Sequence, residues 1–139
     1  MTSKQQSSAA LEDDPFVAAF PENREFWLVA SQGRLVLRHC DDCNQPHWYP
    51  RAVCPLCGGE KLRWMPASGR GTLYAFSTAR RIEPPTTLAY VKLDEGPTLM
   101  TNIVDANPES LRIGQQVTVR FLPSAEGRLM PFFAPVAGV

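Results

Sequence analysis

CDDCNQPHWYPRAVCPLC, residues 40–57, holds all four cysteines of the chain. They fall into two CxxC pairs, Cys40 with Cys43 and Cys54 with Cys57, and ten residues separate the pairs. Two residues between thiols let both sulfurs of one turn face the same ion. A second such turn completes a tetrahedral four-sulfur shell. The intervening loop is shorter than that of many four-cysteine zinc sites but long enough to reverse the chain. Four thiolates leave no coordination position open, so the expected metal is structural. Zinc is the first expectation, and iron in a four-sulfur cage is its rival. A redox dithiol fits less well, because thioredoxin-type chemistry places one CxxC on a helix. His39 and His47 flank the clip and are alternative ligands, although four cysteines already fill the shell. Both histidines are expected at the ribbon surface.

Outward from this clip the residues alternate. RLVLRHC, leading into Cys40, places Leu35 and Leu37 on one face of a strand, and KLRWMP after Cys57 does the same with Leu62 and Trp64. Strand, knuckle, loop, knuckle and return strand make a zinc ribbon over residues 34–66, with Trp48, Tyr49 and Trp64 expected to cover its small core. Before it, Asp14 followed by Pro15 reads as a helix cap with proline at the first helical position. Pro21 interrupts that helix. A second one, capped by Asn23, carries Phe26, Trp27 and Ala30 at helical spacing, and Gly33 stops it. This places a helical hairpin at residues 15–33, behind a polar tail at residues 1–14.

From residue 67 to 139 the pattern is all β. GRGTLYAFSTARRI, then TLAYVKL and PTLMTNIV joined through the turn DEGP, then QQVTVRFL and LMPFFAPV, amount to five strands. NPESLRIG is expected to hold one helical turn. Short strands at this spacing favour a closed barrel, since closure removes exposed edges.

Composition narrows the function. The chain has 139 residues, 44% of them hydrophobic, with 14 basic and 14 acidic side chains and no net charge. Nucleic-acid binding draws its affinity from phosphate neutralisation and calls for a basic excess that is missing here. A single-stranded nucleic-acid-binding OB-fold module therefore stands only as the alternative reading. No apolar run reaches the roughly 20 residues of a membrane span, and the polar N-terminus lacks a secretory stretch, so a cytoplasmic location is expected. GxSxG, GxGxxG and GxxxxGK[ST] are all absent. Glu83, Asp94, Glu95, Asp105, Glu109 and Glu126 are scattered over turns. Catalysis by this chain alone is not expected.

FWLVASQGRLVLRHCDDCNQPHWYPRAVCPLCGG, SGRGTLYAFSTARR, LDEGPTLMTNIVD and LRIGQQVTVRF, in that order, resemble the DUF35 family over nearly everything after residue 14. HWYPR and SGRGTLYAF are the most specific phrases. The resemblance implies a mainly β protein with an N-terminal helical hairpin, a rubredoxin-like zinc ribbon and a C-terminal OB-fold barrel. It implies zinc at Cys40, Cys43, Cys54 and Cys57. It also implies a thiolase-superfamily partner, as in sterol side-chain cleavage, aromatic degradation, isoprenoid synthesis and acyl transfer. This chain would then be the accessory subunit of a thiolase-type acyltransferase or C–C lyase complex. Coenzyme A thioesters are implied as molecules the family contacts or channels. Arg70, Arg80 and Arg81 are the candidates for the coenzyme A phosphates, because guanidinium groups offer multidentate donors; a solvated strand end is the plain alternative. Phe16, Phe20, Phe26 and Trp27 are the candidate partner surface, with Leu129, Met130, Phe132 and Phe133 as a second apolar group.

Overall fold

The structure, a computed structural model, describes Leu11 and residues 13–136. The expected tail at residues 1–14 lies outside the described residues except for Leu11, Asp13 and Asp14. The chain divides into two compact units. The first takes in the described residues up to Ala67 together with Phe121–Met130, and the second takes in Ser68–Arg120 and the strand from Pro131 onward.

In the first unit, Asp14 accepts the Phe16 N–H at 2.9 Å and opens helix α1, Pro15–Ala19. Pro21–Asn23 form a 3-10 turn, and α2 follows over Arg24–Ala30. Asn23 stands at the cap of α2, but its side chain makes no capping hydrogen bond. Gly33, at φ +79, donates to the Ala30 carbonyl and turns the chain into the sheet. Helix α2 packs on β1, Leu35–Cys40, the central strand of a three-stranded antiparallel sheet. Its neighbours are β2, Gln45–His47, and β3, Leu62–Ala67. The sequence alone predicts a loop where β2 lies. Because β1 is central, Val36 on the face opposite Leu35 and Leu37 is also buried. The ring of Phe26 lies 4.9 Å from Trp27, 5.2 Å from Trp48 and 6.5 Å from Trp64. The tryptophans expected to cover the ribbon therefore meet a helix residue, while Tyr49 packs edge-on against Trp48 and stays exposed.

The loop tip that joins β7, Gln116–Pro123, to β8, Leu129–Pro135, contributes Arg128 to this first unit. An Arg128 Nη donates to the Asp14 carboxylate at 2.6 Å, across 114 positions of sequence, and both side chains are at least nine-tenths buried. The guanidinium lies 4.6 Å from the Phe16 ring centre and 5.0 Å from that of Trp27. Burial alone would raise the Asp14 pKa. Arg128 and the amides of Phe16 and Val17 outweigh it and hold the carboxyl below its usual range.

The second unit is a closed barrel in the order β4-β5-β6-β8-β7. Strand β4 spans Arg70–Ala79, β5 Thr86–Leu93 and β6 Thr98–Ile103. All neighbours are antiparallel except β6 and β8, which meet in parallel at Ile103 and Phe133. Strand β5 alternates strictly, sending Ala89, Val91 and Leu93 inward to meet Leu73, Leu99, Val117 and Phe133. Of the second apolar group noted in the sequence, Leu129 and Phe133 are buried, and Met130 and Phe132 are half-buried. Gly71 is required by space: a Cβ there would sit 2.6 Å from the Lys92 carbonyl oxygen and 2.7 Å from a Val91 methyl. The helical turn expected in NPESLRIG is the 3-10 turn Pro108–Ser110, capped by Asn107, which accepts the Glu109 N–H. Among the described residues no helix is long and apolar enough to cross a membrane.

Candidate metal centre

Cys40 is the last residue of β1, and Cys43 follows within the turn toward β2. Cys54 and Cys57 lie in the turn that precedes β3. Antiparallel pairing of Cys40 with Leu62 sets the two turns side by side. Backbone bonds shape them: the Asp41 N–H donates to the Lys61 carbonyl, the Cys54 N–H to Gly59 and the Gly58 N–H to Cys54, each at 2.9 Å. The sulfurs of Cys40 and Cys57 are 3.6 Å apart and those of Cys43 and Cys54 are 3.8 Å apart. All four lie within 4.8 Å of one another, and none is in a disulfide.

These distances fit a tetrahedral ion. Zinc–sulfur bonds of about 2.3 Å place the corners of a regular tetrahedron about 3.8 Å apart. The N–H groups of Leu56 and Gly59 point at the sulfurs of Cys54 and Cys57, each at 3.4 Å. Such donors favour the thiolate, the form that ligates a metal. Burial raises the pKa of Cys54, but the amides of Leu56 and Cys57 outweigh it and bring the thiol down to about 7. At Cys43 burial and the neighbouring thiols push the pKa up to about 12. With all four corners supplied by protein, the shell has no place for substrate or water.

Among the described residues the cluster consists of these four cysteines, and neither histidine joins it. The expectation that both histidines are surface groups is corrected: His39 and His47 are both buried. His39 lies on the central strand, with Nε2 3.1 Å from Asn44 Oδ1. His47 pairs with Arg38 across the sheet, and burial, with Arg38 and Arg51 adding to it, holds its pKa low. Arg38 itself stacks on Trp64, its guanidinium carbon 4.1 Å from the ring centre.

The remaining candidates are spread out. Arg70 starts β4, and Arg80 and Arg81 follow its end, so about 30 Å of strand separates them at roughly 3.3 Å per residue. The structure does not bring them together. Arg70 lies 3.9 Å from Asp94, Arg80 pairs with Glu109, and Arg81 is exposed. Of the four proposed interface aromatics, Phe16 and Phe20 are exposed, whereas Phe26 and Trp27 are buried in the first unit. Two features escaped the sequence reading. One is the Asp14–Arg128 pair. The other is a row of exposed apolar side chains on β4, β5 and β6, whose signal was present in the strict alternation of β5.

Residues 27–63 match the model of the ChsH2 rubredoxin-like zinc ribbon domain, and residues 64–122 match that of the ChsH2 C-terminal OB-fold domain. A solved structure described as Ltp2-ChsH2(DUF35) aldolase is 30% identical, with a TM-score of 0.72 over 82% of this chain and 94% of that one. This chain belongs to the DUF35 family. Its four-cysteine site is that of the family's zinc ribbon, and its barrel is the family's OB fold. A family relative from Thermomonospora curvata, named a probable enoyl-CoA hydratase alpha subunit, is 31% identical over 137 residues. The match takes in 94% of this chain but spans only 42% of that relative's length. Benzoylsuccinyl-CoA thiolase subunit BbsA of Thauera aromatica is 30% identical over 82 residues, which is 56% of each chain.

Proposed function

We propose that this protein is a non-catalytic accessory subunit that binds and supports a thiolase-like enzyme acting on acyl-CoA thioesters. The observation that carries the reading is the likeness, over 82% of this chain and 94% of the other, to the DUF35 chain of an aldolase named for two components. The kinship with a benzoylsuccinyl-CoA thiolase subunit supports the thiolase class of the partner. The site chemistry agrees with an accessory role. The four thiols hold a structural zinc ion, which ties the two turns together and supplies no reactive position. Zinc bound here would keep all four cysteines from acting as nucleophiles. The cytoplasm, with its reduced thiols, suits such a site.

Contact with coenzyme A is the finer part of the proposal. Arg80 and Arg81 are adjacent, exposed and set at one end of β4, which suits them to a diphosphate. Arg70, at the other end, belongs to a separate contact. Co-expression with a thiolase-like subunit tests the main reading: a stable hetero-oligomer forms, and the partner loses acyl-CoA turnover when this chain is omitted. A partner equally soluble and active alone would refute it. Calorimetry with coenzyme A on wild type and Arg81→Ala tests the finer part.

A further inference from the structure

We infer that the outer face of β4–β5–β6 is the surface on which the partner subunit docks, a deepening that rests on the accessory-subunit reading. Four large apolar side chains stand out on this face: Tyr74 (64% exposed), Met100 (58%), Leu88 (47%) and Tyr90 (46%). The register makes them neighbours. Tyr90 pairs with Met100, and Leu88 pairs with Asn102 one step along the same face. An irregularity in β4 between Leu73 and Ala75 leaves Tyr74 outside the ladder, next to Ala75, which pairs with Tyr90. A bulge of this kind turns its extra side chain to the same face as its neighbour. At about 200 Å² for a fully exposed side chain of this size, the four present roughly 400 Å² of apolar surface. That equals the largest patch of an ordinary monomer, and it is about half of one partner's share of a standard interface.

Charge decides what covers it. Strands β4, β5 and β6 contain no carboxylate, and their only cations are Arg70 and Lys92. Arg70 lies at the barrel end near Asp94, which leaves Lys92, outward-facing and opposite Thr98, as the one charge that these three strands themselves set beside the patch; Arg80 and Arg81 lie beyond the end of β4. Among the described residues Lys92 has no ion pair. One lysine is too little to track a nucleic-acid backbone, despite two tyrosines able to stack on bases. A second copy of the same face would bring another lysine and no acid. Hence the occupant is a different protein chain, one that offers an apolar surface with a carboxylate opposite Lys92. The barrel is closed, so recognition runs through side chains rather than by addition of a strand.

The test uses the full zinc-loaded chain and the purified thiolase-like subunit from the co-expression above. Tyr90→Lys combined with Met100→Lys weakens the complex by about 100-fold or more, as loss of central apolar anchors does. Ile113→Lys, an equally exposed apolar position outside the three strands, leaves affinity within about threefold. Lys92→Glu slows association and flattens its salt dependence. Circular dichroism checks that each variant keeps its barrel. If wild type binds and the double variant binds equally well, the face is wrong and the accessory-subunit reading survives. If wild type forms no complex at all, both are overturned. The assignment also falls if the double variant abolishes self-association of this chain, or binding of a fluorescein-labelled thymidine oligomer, without weakening the complex.

Discussion

Replacing Arg128 with methionine removes the partner of a carboxylate whose side chain is 1% exposed. Asp14 keeps its helix-capping bond to Phe16 but faces Phe16 and Trp27 with no cation between them. Breaking one side of a buried ion pair costs about 3–5 kcal/mol, because the remaining charge loses its compensation. Methionine refills most of the volume, so the lower half of that range is expected, about 3 kcal/mol. All three tryptophans, Trp27, Trp48 and Trp64, lie in the first unit, so intrinsic fluorescence during urea unfolding reports on that unit. With a slope of about 2 kcal/mol per molar urea, the midpoint should fall by about 1.5 M. Asp14→Asn preserves a good cap and strands Arg128 instead, at similar cost. The double variant should recover most of the roughly 6 kcal/mol sum, since the intact pair itself contributes little net stability. The pH dependence has a definite sign. In wild type the folded pKa of Asp14 is lowered from 3.8, so the pair's stabilisation is complete above the unfolded value and fades as pH falls through the folded one. In Arg128→Met the buried carboxyl titrates high, so the penalty is greatest near neutral pH and shrinks on acidification. An Arg128→Met midpoint within about 0.3 M of wild type at pH 7 would refute the reasoning.

Three further outcomes follow from the structure. Metal analysis of purified protein should find one zinc per chain and a colourless solution; Cys40→Ser or a strong chelator should unfold the first unit, and a reddish four-sulfur iron spectrum would overturn the assignment. His39→Ala and His47→Ala should each keep the full complement of zinc, because neither ring belongs to the cluster, and loss of metal in either would show a ligand set other than four cysteines. Gly71→Ala should destabilise the barrel by about 1–3 kcal/mol through its clash with the Lys92 carbonyl and Val91, read by thermal melting; an unchanged melt would mean the strands can part there at no cost.

What could be read from the sequence was local. The CxxC spacing brings thiols into one turn without help from the rest of the chain, and the four sulfurs do meet. Period-2 alternation placed the barrel strands, and Asn107 before Pro108 announced its turn. The short strand Gln45–His47 was missed because three residues are too few to show a period and its pairing comes from β1. Phe26 and Trp27 looked like interface groups because helical spacing reveals a face but not what lies against it; Trp48 and Trp64 lie against Phe26. The histidines looked superficial because a polar side chain in a small ribbon usually is. The Asp14–Arg128 pair was illegible, since nothing within 114 residues of chain signals that a cap and a hairpin tip will touch.

That last contact constrains synthesis from the ribosome. The knuckles can chelate zinc once Cys57 has emerged, yet the unit that contains them still lacks Arg128 until the hairpin leaves the exit tunnel. The segment made first is therefore completed late, after most of the barrel strands have been translated. Until then Asp14 lacks the cation that pairs with it in the finished unit. A stop codon placed before Phe121 would injure the metal-binding part of the polypeptide as well as the barrel.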